Sequence, residues 1–140
     1  MNLNNLLIDE IVLIDDDNIV TTVNKHIIRK VIPDISIKSF ENGEAGLVYL
    51  ISVQDLLRKT LVFLDLDMPI MDGFKFLSIY ENALAYQDHS FVICLLTSSE
   101  DKKDKIKALQ YPSVLEFAQK PLSEKKIKGI LERAAAVLAR

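Results

Sequence analysis

Residues 61–73 read LVFLDLDMPIMDG. The apolar run at 61–64 shows no alternation with polar residues, so a strand here is covered on both faces, as in the parallel sheets of α/β proteins. Two acids, Asp65 and Asp67, stand at its exit, and a proline and a glycine come after them. A carboxylate at the end of a buried strand is costly unless something compensates its charge. The fold must therefore bring that compensation from elsewhere in the chain.

The flanking sequence says what surrounds this strand. EIVLID (10–15) is a second short apolar run ending in acids and reads as a buried strand. Over 18–31, Val20, Val23, Ile27, Ile28 and Val31 keep helical spacing, and Pro33 stops the helix. ISIKSF (35–40) alternates and reads as a strand, ended by the turn pair Asn42-Gly43. A helix then runs from about Gly43 toward Leu57, with a break near Ser52. After Gly73, the positions of Phe74, Phe76, Leu77 and Tyr80 predict a helix to about Ala85. FVICLLT (91–97) is a fourth strand, and SEDKKDKIKALQ (99–110) a helix with acids first and lysines after, matching its dipole. Ile106, Ala108 and Leu109 are its candidate core anchors. SVLEFA (113–118) is the fifth strand. The last helix, 123–139, carries Ile127, Ile130, Leu131, Ala134 and Leu138 on one face. Five strands alternating with five helices predict an α/β fold with a doubly wound parallel sheet and right-handed crossovers.

Composition agrees with a single globular domain. The chain has 140 residues, 49% hydrophobic and 26% charged, with net charge −3. That balance gives no footprint for nucleic acid or an anionic membrane surface. No apolar run approaches a membrane span, and the N-terminus lacks the basic start of a secretory signal. The one cysteine, Cys94, lies in an apolar run and reads as a small buried hydrophobe, which fits a reducing cytoplasm. Residues 1–9 are expected to be a short leader and 10–140 the domain, with no room for an output domain after the last helix. His26 and His89 fall at polar positions and read as solvated.

In a doubly wound sheet, ligands bind at the carboxyl ends of the strands. Strand one ends in Asp15, Asp16 and Asp17, and strand three in Asp65 with Asp67 two residues on. Strand four ends in Thr97 and Ser98, and Lys120-Pro121 comes after strand five. Asp17 and Asp72 read as helix caps. Two unit charges about 4 Å apart repel by roughly 4 kcal/mol at an effective dielectric near 20. A divalent cation removes that cost, and an all-oxygen set selects a hard ion such as Mg²⁺. A hydroxyl and an ammonium beside such an ion suit a phosphoryl group, whose transfer needs chiefly positioning and charge neutralisation.

The motifs LIDDDN, LVFLDLDMPIMDG, LLTSS and QKP, in this order and spacing, resemble the receiver domain of two-component response regulators over about residues 10 to 138. The resemblance implies a flavodoxin-like fold with strand order 2-1-3-4-5. It makes Asp65 the phosphoacceptor, with Asp16 ligating Mg²⁺ directly, Asp15 mainly through water, and the backbone carbonyl of Asp67 completing the protein ligands. Thr97 would hydrogen-bond the phosphoryl group and Lys120 would pair with it. Phe117 matches the aromatic switch position, and the Lys120–Pro121 bond would be cis. The implied phosphoryl source is a sensor histidine kinase or a histidine phosphotransfer protein. The signal would leave through the face of the fourth helix, fifth strand and fifth helix, to a protein target the sequence does not name.

This chain has QYPSV where the family often has Gly-Ala, Phe rather than Tyr at the switch, and Ser98 after the threonine. Two other readings remain open at this point. Asp-x-Asp also begins the haloacid-dehalogenase-like phosphatases, although there the acid pair comes late rather than first. A receiver-like binding module that is never phosphorylated would keep the same pocket. On the preferred reading the chain is a signalling switch, turning over no external substrate.

Overall fold

In the computed structural model, which describes residues 7–68, 71–83, 90–98 and 102–139, strands and helices alternate along the chain. They are β1 (Glu10–Ile14), α1 (Asn18–Val31), β2 (Ser36–Phe40), α2 (Gly43–Val53) and a 3-10 turn (Gln54–Leu56). Then come β3 (Thr60–Asp65), α3 (Gly73–Ala83), β4 (Phe91–Thr97), α4 (Lys102–Leu109), β5 (Val114–Gln119) and α5 (Glu124–Leu138). Every neighbouring pair of strands is parallel, in the order β2-β1-β3-β4-β5. This is the doubly wound, flavodoxin-like sheet that the sequence leads one to expect.

β1, β3 and β4 are buried at every position, so their sequences have no period of two. Their side chains still alternate between faces. Ile11, Leu13, Leu61, Phe63, Val92 and Cys94 pack with Ile28 of α1 and with Ile127, Ile130 and Leu131 of α5. Val12, Ile14, Val62, Leu64, Ile93 and Leu95 pack with Leu50 of α2, Phe76, Leu77 and Tyr80 of α3, and Ala108 of α4. Each fully buried Leu, Ile or Phe contributes about 2 kcal/mol, so the two layers hold the central strands rigidly. β2 is an edge strand with half its surface wet, and it alone keeps the alternating pattern.

Some expected details differ. The α2 helix ends at Val53, one residue past the predicted break, and Leu57 takes a left-handed backbone (φ 53°) that turns the chain into β3. On α1, Val23 is 49% exposed while Asn24 is buried, because Asn24, Ile28 and Val31 form the stripe that meets the sheet. On α4, Ile106 and Leu109 are exposed and only Ala108 is buried, so the helix has one core anchor rather than three. The predicted helical residues 84–85 and 99–101 lie outside the described residues, as do His89 and residues 1–6 of the expected leader. Ile8 belongs to the core, and the Asp9 N–H donates to the Lys59 carbonyl (2.7 Å). Cys94 is fully buried, and that burial pushes its thiol well above the ordinary range. Among the described residues no helix is long and apolar enough to cross a membrane.

Candidate functional site

Sheet register places the site. Ile14 pairs with Leu64, so the residues one step past these, Asp15 and Asp65, meet where β1 and β3 end. Asp65 pairs with Leu96, which puts Thr97 on the neighbouring strand, and Thr97 pairs with Gln119, after which comes Lys120. The ladder continues past the strands: the Leu66 N–H donates to the Leu96 carbonyl (2.9 Å) and the Lys120 N–H to the Thr97 carbonyl (2.7 Å). Gly73 allows the exit loop to fold back tightly. A Cβ there would stand 2.9 Å from Leu66 Cα, and its N–H donates to the Leu66 carbonyl (3.1 Å).

Carboxylate oxygens of Asp15, Asp16 and Asp65 lie within 4.8 Å of one another. Asp15 and Asp65 are buried and Asp16 is exposed. The Lys120 ammonium sits between the buried pair, 3.3 Å from Asp15 Oδ2 and 3.1 Å from Asp65 Oδ1. Backbone donors fix both carboxylates: the Asp17 N–H reaches Asp15 Oδ1 at 2.8 Å, and the Asp67 N–H reaches Asp65 Oδ1 at 3.0 Å. The Thr97 hydroxyl donates to Asp67 Oδ2 at 3.0 Å. Asp17 caps α1 through the N–H groups of Ile19 and Val20, and Asp72 accepts from the Lys75 N–H at the start of α3.

The charges are strongly coupled. Burial raises the Asp15 carboxyl above its usual range, repulsion from Asp65 adds to this, and the Asp17 N–H and Lys120 oppose it. Burial alone would lower Lys120, but attraction and hydrogen bonding from Asp65 and Asp15 outweigh it and raise the ammonium above the ordinary lysine value. In their charged forms the three clustered carboxylates, two of them paired with one ammonium, leave a surplus of two negative charges. The donor set is all oxygen, clustered and partly open to solvent through Asp16. It fits a hard divalent cation.

The Lys120–Pro121 peptide bond is cis. The Lys126 ammonium donates to the carbonyls of Gln119 (3.0 Å) and Pro121 (3.1 Å), on either side of Lys120. It lies among the α5 lysines that look like an ordinary wet face. Phe117 is half-buried on β5, packed against the cluster that contains Ala108 of α4. The side chain of Asp67 was missed, since the motif draws attention only to its backbone carbonyl. Its polarity at an exposed loop position gave no sign of the bond to Thr97.

The family profile of the response regulator receiver domain matches residues 11–132. A two-component response regulator from Cytophaga hutchinsonii is 27% identical, with a TM-score of 0.83, covering 92% of this chain and 98% of that one. A response regulator receiver protein from Dyadobacter fermentans is 22% identical at a TM-score of 0.79, covering 89% and 96%. The Vibrio cholerae chemotaxis protein CheY4 is 16% identical at a TM-score of 0.71, covering 91% and 98%, and shows likeness of fold alone. Among curated protein sequences none matches the chain.

Proposed function

Because this chain belongs to the response regulator receiver domain family, we propose that it accepts a phosphoryl group onto Asp65 from a phosphohistidine donor on a sensor kinase or phosphotransfer protein. The observation that carries this reading is the meeting of Asp65, Asp15, Asp16 and Lys120 past the carboxyl ends of β1, β3 and β5. An Asp65 carboxylate oxygen attacks phosphorus, the O–P bond forms, the N–P bond of the donor breaks, and the imidazole nitrogen leaves with the electron pair. Asp15, Asp16, Asp65 and the Asp67 carbonyl would hold Mg²⁺. When bound, that ion supplies charge neutralisation for the incoming phosphoryl oxygens.

The chain's own groups do the rest. Lys120 offsets charge on the carboxylate and then on the phosphoryl oxygens, while the Asp67 N–H keeps the Asp65 carboxylate oriented. Thr97 supplies a hydroxyl donor. Acyl-phosphate hydrolysis later restores Asp65, so the domain works as a timed switch with no external product. On this reading residues 10–140 are the receiver unit, working in the cytoplasm.

The readout surface is α4, β5 and α5. With Ala108 as its only buried residue, α4 belongs to the less stable part of the molecule, and in sequence it is the element that follows Thr97. A hydroxyl drawn toward Asp65 pulls on the approach to α4, and Phe117 turns toward the space released. A bias of about 1.4 kcal/mol suffices to shift the two-state ratio tenfold.

Incubation with Mg²⁺ and a small phosphodonor, and then intact-mass and peptide analysis, tests the assignment. One phosphoryl group at Asp65 is expected, with none in Asp65→Asn, and hydrogen exchange is expected to rise across 102–119. Full modification of Asp65→Asn removes the assignment. Unchanged exchange at 102–119 while the strand ends respond moves the readout to another face.

A further inference from the structure

We infer that the Asp67 carboxylate is a latch on Thr97, holding in the resting protein the hydroxyl that an Asp65-bound phosphoryl group must recruit. The inference rests on Asp65 being the phosphoacceptor and goes beyond it, because the motif assigns Asp67 only a backbone role. Residue 67 is fastened at two points. Its N–H donates to Asp65 Oδ1 at 3.0 Å, and its Oδ2 accepts from Thr97 Oγ1 at 3.0 Å. The side chain thus bridges from the exit of β3 to the end of β4.

A threonine hydroxyl carries one proton, so it donates to Asp67 or to a phosphoryl oxygen and not to both. The acceptor it holds at rest is ionisable, and hydrogen bonds to a charged oxygen are about twice as strong as neutral ones. Thr97 is fully buried at the end of β4, whereas Asp67 is exposed and can swing into water. A phosphoryl group on Asp65 replaces one carboxylate charge with up to about two on the phosphoryl oxygens and carries that charge outward, toward the Asp67 carboxylate. Repulsion then expels Asp67 at the moment the phosphoryl oxygens become the better acceptor. Asp67 is a positioning residue: it acts on the switch through Thr97 and sets how far the resting state is favoured.

The latch makes a prediction that charge relief alone does not. Beryllofluoride, a mimic of an aspartyl phosphoryl group, is titrated at saturating Mg²⁺ into the wild type, Asp67→Ala, Thr97→Val and the double variant. Asp67→Ala is expected to bind the mimic about tenfold more tightly than the wild type, equivalent to about 1.4 kcal/mol. In the Thr97→Val background the same substitution is expected to give little gain, since no hydroxyl is left to release. An equal gain in both backgrounds, or none in the wild-type background, overturns the latch. A wild type that binds no beryllofluoride overturns the Asp65 reading itself, and the latch with it. Threonine-selective methyl NMR of the apo proteins reads the contact directly. The Thr97 signal is expected to shift in Asp67→Ala and to shift less in Asp67→Asn, which keeps an acceptor oxygen. A signal unmoved by Asp67→Ala overturns the proposal.

Discussion

Glu10 and Asp65 are acids buried at opposite ends of the same sheet, 1% and 3% exposed, and their surroundings differ in kind. Glu10 opens β1. Its Oε1 accepts from the Tyr49 hydroxyl at 2.6 Å, and its Oε2 from Arg58 Nη1 at 3.3 Å and the Ser36 hydroxyl at 3.5 Å. One carboxylate there has three donors drawn from β2, α2 and the approach to β3. Asp65 closes β3, where three carboxylates cluster and the Lys120 ammonium pairs with two of them. A buried acid whose two oxygens both accept hydrogen bonds is part of the architecture. A buried acid set among surplus negative charge is a candidate for a ligand, and the raised carboxyl of its neighbour Asp15 points the same way. Burial alone does not separate the two ends; the balance of donors against charges does.

The sharpest break in that comparison should come at the crowded end. Asp16→Ala removes one candidate oxygen ligand and one of the mutually repelling charges. Mg²⁺ affinity is expected to fall about a hundredfold, equivalent to roughly 2.7 kcal/mol. Melting of the metal-free protein is expected to stay level or rise, since repulsion has been relieved. Metal titration and thermal melts on the same samples check both. Unchanged Mg²⁺ affinity would mean that the ion is held by other residues.

Next in size is the balanced end. Arg58→Ala leaves the Glu10 carboxylate buried with only Tyr49 and Ser36 as donors. Losing one partner of a fully buried pair costs about 3–5 kcal/mol, but the Arg58 side chain is 40% exposed, so about 2 kcal/mol is expected here. Denaturant unfolding measures it, and phosphorylation of Asp65 should be unaffected because this network lies at the far end of the sheet. Loss of phosphorylation in a folded Arg58→Ala protein would join the two ends that the structure separates.

The two ends also differ in how far the sequence reveals them. Acids, hydroxyl and lysine at the exits of β1, β3, β4 and β5 are legible because strand ends are legible, and parallel register brings strand ends together whatever the helices do. The unbroken apolarity of 61–64 identified a sheet covered on both faces, and the observed strand order is the flavodoxin-like one that the motifs imply. Glu10 was hidden because an acid opening a strand looks like a surface residue. Its partner Arg58 is 48 positions away, and nothing local links them. The same limit applies to Val23 and Asn24: apolar spacing pointed to Val23, yet Asn24 is the residue buried beside Ile28 and Val31, which the spacing did include. It applies also to Ile106 and Leu109, whose apolarity implied anchors although α4 meets the core through Ala108 alone. The Asp67–Thr97 bond spans 30 positions and depends on a side-chain direction that no period encodes.

The smallest effect should be the most specific in its pH dependence. The Tyr49 phenol is raised from 10.0 to about 12, first by burial, then by hydrogen bonding to Glu10 and by repulsion between the phenolate and that carboxylate, with Arg58 opposing. A raised phenol pKa means that the neutral donor is the form the fold favours. Its contribution is therefore complete below pH 10 and is lost as pH rises through about 12. Tyr49→Phe keeps the ring that packs on Phe40, with centroids 5.0 Å apart, and deletes only the hydroxyl. The variant is expected to be about 1 kcal/mol less stable than the wild type at neutral pH. That gap should hold to pH 10 and close between pH 10 and 12. Tyr80, raised still further by burial, is common to both proteins and cancels in the difference. Urea unfolding of the pair across this range makes the measurement. A gap that persists unchanged to pH 12 would assign Tyr49's contribution to something other than its hydrogen bond, and Glu10 would then lack one of the donors that set it apart from Asp65.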